Sequence, residues 1–244
     1  MQDLNLTIKE NIRLTDKMWK MELCHPDLEV QKPGQFINLK IDGYFLRRPI
    51  SVCDATNGEV TIIYAVVGKG TTALSEMTAG QKVQALCGLG NGYDTSLSGD
   101  KPLLLGGGAG VPPMYLLAKQ LRSEGKPVAV ILGFNTASEI FYDEEFYKLG
   151  CRVILATADG SLGAKGFVTD VMPEDYTYVY TCGPEPMLKA VYKKAETSGQ
   201  FSFEERMGCG FGACMGCSCK TITGYKRICK DGPVLRKEEI LWED

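Results

Sequence analysis

Cys209, Cys214, Cys217 and Cys229 stand in the spacing Cys-x4-Cys-x2-Cys-x11-Cys, and nothing else in the 244-residue chain restricts its folding as much. Gly208, Gly210, Gly212 and Gly216 are interleaved with the first three. Glycines at such a density suit a loop wrapped around an inorganic group, because they allow positive φ and let backbone N–H groups approach sulfur closely. Cys-x4-Cys-x2-Cys with a more distant fourth Cys is the plant-ferredoxin type of 2Fe-2S ligation, four thiolates around two irons. A structural zinc site competes for the same residues. Zinc ribbons, however, join two close Cys-x2-4-Cys pairs, and here the second pair is missing. Cys219 offers a further thiol in Cys217-Ser218-Cys219; the 4-then-2 spacing selects Cys217 as ligand and leaves Cys219 packed beside it.

The chain holds ten cysteines and one histidine, His25. The N-terminus, Met1-Gln2-Asp3-Leu4-Asn5, lacks a basic-then-apolar signal pattern, so thiols are expected rather than disulfides. Cys24, Cys53, Cys87 and Cys151 lie singly among strand-like residues and read as small buried apolar groups. A single histidine before Pro26 excludes His-based triads and His-rich metal sites. Hydrophobic residues at 44% can build a sizeable core, and 27 basic against 30 acidic residues leave a net charge of −3. With no Lys/Arg-rich block and no long apolar run, the expectation is a soluble, cytoplasmic protein with neither nucleic acid nor membrane as partner.

Three stretches follow. In residues 1–98, short β-branched or alternating runs at 4–14, 18–23, 36–41, 50–54, 60–67 and 82–89 are separated by turn signals, which predicts a six-stranded antiparallel barrel of Greek-key type. In residues 99–200, strands at 102–105, 128–133, 152–157 and 177–182 alternate with helices at 113–123, 139–149, 166–172 and 185–197. That rhythm predicts a doubly wound parallel sheet. Residues 201–244 form a small cysteine- and glycine-rich domain.

Several segments suit phosphate. Gly107, Gly108, Gly110 and Val111 lie in Gly106-Gly107-Gly108-Ala109-Gly110-Val111-Pro112-Pro113, between a strand and a helix whose free N–H groups can hold a pyrophosphate. Cys182, Gly183 and Pro184 form a second βα turn, at the sheet end where ligands collect; Cys182 either faces a nicotinamide or is simply buried. In the barrel, Arg47-Arg48-Pro49-Ile50-Ser51 places a guanidinium, the natural partner of a pyrophosphate, at a strand start. Gly68-Lys69-Gly70-Thr71-Thr72 opens a short helix beyond it.

These motifs, in this order, make the chain resemble the ferredoxin-reductase superfamily, and more closely the electron-transfer subunits of NAD-linked (type B) dihydroorotate dehydrogenase. Glu205-Arg206-Met207-Gly208-Cys209-Gly210-Phe211-Gly212-Ala213-Cys214-Met215-Gly216-Cys217, with Cys229-Lys230-Asp231-Gly232-Pro233-Val234, is the most specific part. The resemblance implies an FAD-binding barrel (1–98), a nicotinamide domain (99–200) and a 2Fe-2S domain (201–244). It places FAD on Arg48, Pro49, Ile50, Ser51, Ile63, Tyr64, Ala65, Gly70 and Thr71, and the cluster on Cys209, Cys214, Cys217 and Cys229. Ile50 stands where the wider superfamily often has Tyr, and Ala65 where many members of the subunit family carry a basic residue.

The implied activity is oxidoreduction in pyrimidine (UMP) biosynthesis, with an FMN-containing catalytic partner in a heterotetramer of two of each chain. That partner oxidises dihydroorotate, so this chain is assigned no substrate catalyst of its own. Three alternatives stand beside it: a reductase feeding an oxygenase, a flavin subunit of an electron-bifurcating, sulfide or hydrogenase complex, and a zinc-binding interaction module. NAD is expected over NADP, since residues 133–139 carry no Arg or Lys for a 2′-phosphate.

Overall fold

The computed structural model describes residues 1–29 and 31–242. Strands β1 (Gln2–Arg13), β2 (Met18–Cys24), β3 (Phe36–Lys40), β4 (Arg48–Thr56), β5 (Glu59–Ala65) and β6 (Lys82–Leu89) close an antiparallel barrel in the order β1-β2-β5-β4-β3-β6. Helix α1 (Lys69–Ser75) lies between β5 and β6. Alternation sends every second side chain inward: Met21, Leu23, Ile37, Leu39 and Ile62 fill the barrel together with Tyr64. The Tyr64 hydroxyl donates to Asn11 Oδ1 at 2.9 Å, and burial pushes the phenol up to about 12.

The second unit contains β7 (Pro102–Gly107), α2 (Val111–Ser123), β8 (Ala129–Phe134), α3 (Asp143–Lys148), β9 (Arg152–Thr157), β10 (Ala164–Lys165), β11 (Tyr178–Cys182), α4 (Glu185–Lys194) and β12 (Gly199–Ser202). The sheet order is β10-β9-β8-β7-β11-β12, all parallel. Strand β7 is covered on both faces and reads as an unbroken apolar run, with Leu103, Leu104 and Leu105 fully buried, as central parallel strands do. The chain leaves β7 toward β8 on one side and returns to its other side with β11. That reversal creates a crevice beyond the carboxyl ends of β7 and β11, the usual place for a ligand in such a sheet.

The tail folds partly onto this sheet. Strands β13 (Ser218–Thr221) and β14 (Gly224–Arg227) make a hairpin, and β15 (Val234–Arg236) pairs antiparallel with β12. Asn91, between barrel and sheet, fastens the strand: its Nδ2 donates to Val234 O at 2.7 Å and its Oδ1 accepts from Val234 N at 3.1 Å. None of these tail strands is signalled by the sequence pattern.

Two predicted helices differ. Over 139–149 the chain makes a 3-10 turn at Ala137–Glu139 and resumes as α3 only at Asp143. Phe141 and Tyr142 are drawn into aromatic contacts with Phe134 and Tyr115, at centroid distances of 5.6 and 5.1 Å, and Tyr142 adopts φ 67°. Over 166–172 only a 3-10 turn forms, Val168–Val171.

Helix α2 packs on β4 and closes the seam between the two units. Met18, Cys53 and Ile63 of the barrel share a core with Leu104, Met114 and Leu117, and Lys119 bridges to Asp54 at 2.7 Å. Cys53, Cys87 and Cys151 are buried within the framework, while Cys24 is half-buried. Leu117→Ala should remove a fully buried side chain from the seam and destabilise the protein by about 2–5 kcal/mol. Denaturant melts of the variant and the parent measure it; a change below about 1 kcal/mol contradicts a shared, close-packed seam.

Candidate functional site

The four cysteines fall into two pairs. In the first, the amides of Ala213 and Cys214 donate to Cys209 Sγ at 3.2 and 3.4 Å, and the Cys209 amide donates to Cys214 Sγ at 3.4 Å. In the second, the Cys229 amide donates to Cys217 Sγ at 3.4 Å. Among the described residues, no three His, Cys, Asp or Glu side chains gather as they would around one ion. Two thiol pairs, each fed by amide N–H groups, suit a two-iron cluster better than a tetrahedral zinc cage.

Electrostatics set the two pairs apart. Desolvation raises the Cys209 thiol, but amides of Cys214, Phe211 and Ala213 outweigh it and bring the thiol down to about 6. Cys229 is pushed up to about 12 by burial and by the neighbouring Cys217. The interleaved glycines divide into two kinds. Gly210 and Gly212 hold φ of 79° and 92°, whereas a Cβ on Gly208 or Gly216 would stand 3.2 or 3.6 Å from Cys214 Sγ. Arg227 secures the loop by donating to Gly212 O at 2.9 Å while bridging to Asp231 at 2.9 Å. Cys219 sits on β13 opposite Lys226, outside both pairs.

In the barrel, Arg48 leaves the start of β4 and lies across Gly70 at the start of α1. A Cβ on Gly70 would come within 2.5 Å of the guanidinium, so the glycine makes the cradle that brings Arg48 to the helix start. Tyr44 stacks beneath the guanidinium at 5.3 Å. Thr71 is committed to its own helix: its Oγ1 accepts from the amides of Val67 and Gly68 at 3.0 and 3.2 Å. Any phosphate contact there falls to main-chain donors. Pro49 and Ser51 pair with Asn38 and Phe36 of β3, on the outer face of the barrel. Ile50 packs toward the barrel interior. On β5, Tyr64 points inward, while Ile63 and Ala65 turn to the seam. The Tyr64 side chain is therefore held away from that seam. A guanidinium cradled at a helix start fits the pyrophosphate of FAD.

In the sheet, the two βα turns press against each other at the switch point. A Cβ on Gly110 would lie 2.1 Å from Cys182 O and 2.6 Å from Gly183 N, and one on Gly107 would lie 2.4 Å from Met187 Sδ. Gly108, by contrast, has φ 50° and open space before it. Val111 is fully buried. Pro112 and Pro113 carry no amide hydrogen, so donors at this end come from the turn more than from the helix. Pro184 precedes α4 as its N-cap. Cys182 is partly exposed at the crevice, its thiol pushed up to about 12 by burial. Beyond β8, Glu139 accepts from the amide and side chain of Asn135 at 3.1 and 2.8 Å, so an anion rather than a cation stands there.

Sequence reasoning missed Asn38 and Phe36. Phe36 belongs to the buried cluster that contains Cys217, Ile228 and Cys229, and Asn38 reaches Cys209. The signal was a single amide in the apolar run Phe36-Ile37-Asn38-Leu39.

Because the thiol pairs and the Arg48 cradle draw on different residues, a double dissociation is predicted. Cys214→Ser should lose iron and sulfide and keep FAD; Arg48→Ala should lose FAD on dialysis and keep iron and sulfide. Metal, sulfide and flavin analysis of both variants reads the result. Full retention of either group in its own variant contradicts that assignment.

Comparison with known proteins agrees with this geometry. Residues 204–241 match the iron-sulfur cluster binding domain of dihydroorotate dehydrogenase B, and residues 104–193 match the oxidoreductase NAD-binding domain. The electron transfer subunit of dihydroorotate dehydrogenase B (NAD(+)) from Fusobacterium nucleatum is 43% identical over 96% of each chain. That of Geobacillus sp. (strain WCH70) is 42% identical over 99% of each chain. Among solved structures, an NADH-dependent reduced ferredoxin-NADP oxidoreductase, described for flavin-based electron bifurcation, aligns with TM-score 0.87 and 28% identity. It covers 99% of this chain and 91% of its own. The ferredoxin reductase of carbazole 1,9a-dioxygenase aligns at 0.68 and 21% identity, covering 79% and 64%, and shares the fold alone. The chain belongs to the family of electron transfer subunits of NAD-linked (type B) dihydroorotate dehydrogenase.

Proposed function

We propose that this chain carries electrons from dihydroorotate oxidation on a partner catalytic subunit to NAD+, through a 2Fe-2S cluster and FAD, in pyrimidine biosynthesis. The observation that carries the reading is that Cys209 meets Asn38, and that Cys217 and Cys229 share a buried core with Phe36, on the β3 face that pairs with Pro49 and Ser51. FAD supplies the exchange between single electrons and a hydride pair. The residues of the chain position and insulate. Cys209, Cys214, Cys217 and Cys229 hold the irons. Arg48 and the turn at Gly70 and Thr71 hold the flavin pyrophosphate, with Pro49, Ile50, Ser51, Ile63, Tyr64 and Ala65 along the flavin's strands. Gly107, Gly108, Gly110 and Val111 with Cys182, Gly183 and Pro184 shape the nicotinamide crevice. No general acid or base is required of this chain, which accords with its single His25, placed in a turn where Nδ1 accepts from the Asp27 amide at 3.2 Å.

In this reading residues 1–98, 99–200 and 201–244 are the flavin, nicotinamide and cluster domains. The partner carries FMN and the dihydroorotate site, and two of each chain assemble in the cytoplasm. No helix among the described residues is long and apolar enough to cross a membrane. The tail supports a docking role: Cys214 is exposed, and Phe211, Met215, Ile222 and Tyr225 expose 43%, 54%, 63% and 74% of their surface. A second reading, a flavin subunit of a bifurcating complex, is favoured by the 28% identical neighbour; partner identity separates the two.

Co-purification of the chain with an FMN-containing dihydroorotate-oxidising subunit should give dihydroorotate-dependent NAD+ reduction, absent when either chain is omitted. A stable complex that reduces other acceptors but never NAD+ contradicts the reading. Capture of a ferredoxin-NADP oxidoreductase subunit instead supports the second one.

A further inference from the structure

Asn38 is the one polar side chain of β3 that is almost wholly enclosed, at 1% exposure. It faces away from the barrel core, opposite Pro49 on β4, and toward the first thiol pair. Its Nδ2 donates to the carbonyl of Cys209 at 3.5 Å, at the outer limit of a hydrogen bond. The fit is close: Gly210, at φ 79°, approaches so near that a Cβ there would lie 2.3 Å from Nδ2. Arg47 Nη1 donates to the Asn38 carbonyl at 3.4 Å, tying the same residue to the strand start beside Arg48. Its Oδ1 is buried and has no hydrogen-bond partner.

A buried, half-satisfied amide is costly and calls for a reason. Stability gives none, since Leu at this size would satisfy an apolar strand better. Position gives one. Two residues along the strand, Phe36 shares a buried core cluster with Cys217, Ile228 and Cys229, so the outer face of β3 adjoins the core that holds the second thiol pair as well as the first pair. At Phe36 the contact is apolar and adaptable. At Asn38 it is directional, and it ends on the backbone of a cluster cysteine.

We propose that Asn38 is a positioning residue for electron transfer, fixing the Cys209 end of the cluster loop against strand β3, beside Pro49 of β4, so that cluster and flavin keep one separation and orientation. The proposal rests on the cluster and flavin assignments above. Electron transfer slows steeply as donor and acceptor move apart, so a loosened loop should affect the cluster–flavin step before anything else. A 2Fe-2S cluster held by four thiolates would carry negative charge, and a carboxylate at position 38 would add to it beside Cys209.

The test uses the full chain carrying FAD and cluster, mixed anaerobically with NADH in stopped flow. In Asn38→Leu, bleaching of the flavin band should be unchanged, while the cluster absorption that follows should bleach about tenfold more slowly. The EPR spectrum of the reduced cluster should shift as well. In Asn38→Asp, the cluster should become harder to reduce in an EPR-monitored titration, because a carboxylate disfavours added electrons. Gly210→Ala, which must displace the Asn38 amide, should reproduce the slow step with no change at position 38. Equal slowing of both bands, or wild-type cluster kinetics and EPR in both Asn38 variants, overturns the proposal. Loss of iron and sulfide from both variants also overturns it, making Asn38 part of the loop's fold. If the parent chain itself shows no NADH-bleached flavin and cluster bands, the functional reading fails instead.

Discussion

Cys217 and Cys229 are buried at 2% and 1% exposure in the core cluster that includes Phe36, and much of the tail can be understood as the means of keeping them there. Thiolates that share a metal cluster repel each other and demand hydrogen-bond donors, so they cannot rest on an apolar core without compensation. The loop supplies amides to the Cys209, Cys214 and Cys217 sulfurs. The β13–β14 hairpin and the Arg227–Asp231 pair stiffen the connection between ligands, and β15 staples the far end onto β12. Burial of the second pair and exposure at Cys214 give the centre an inner and an outer side. The inner side meets the flavin-binding barrel; the outer side is open to a partner.

A second close approach governs the nicotinamide end. The two βα turns of β7 and β11 touch backbone to backbone at Gly110, where only glycine avoids Cys182 O, while Gly107 leaves room for the Met187 side chain. These glycines shape the crevice by packing, whereas Gly108 has a positive φ and open space before it. A glycine-rich motif that reads as a phosphate loop thus divides, in space, into packed and open members.

The sequence made the architecture legible where a repeating signal existed. Six alternating strands and a strand–helix rhythm led to barrel and sheet, and the cysteine spacing led to the cluster and the family. It did not reveal β13, β14 and β15, which are three or four residues long and too short to show a period. The helix expected at 139–149 begins only at Asp143, because Phe141 and Tyr142 are held in aromatic contacts and Tyr142, at φ 67°, lies outside helical space. Side-chain direction was equally hidden: the motif places Tyr64 and Thr71 near FAD, yet one fills the barrel and the other caps α1. Asn38 escaped because its significance lies in a contact 171 residues away in sequence.

The central claim, that this chain itself joins hydride chemistry to single-electron transfer, is tested most directly by an anaerobic visible spectrum before and after addition of NADH. The account predicts a flavin band superimposed on the broad absorption of a 2Fe-2S cluster, both bleached by NADH. A chain that stays colourless after reconstitution with FAD, iron and sulfide, or whose colour NADH leaves unchanged, would contradict it.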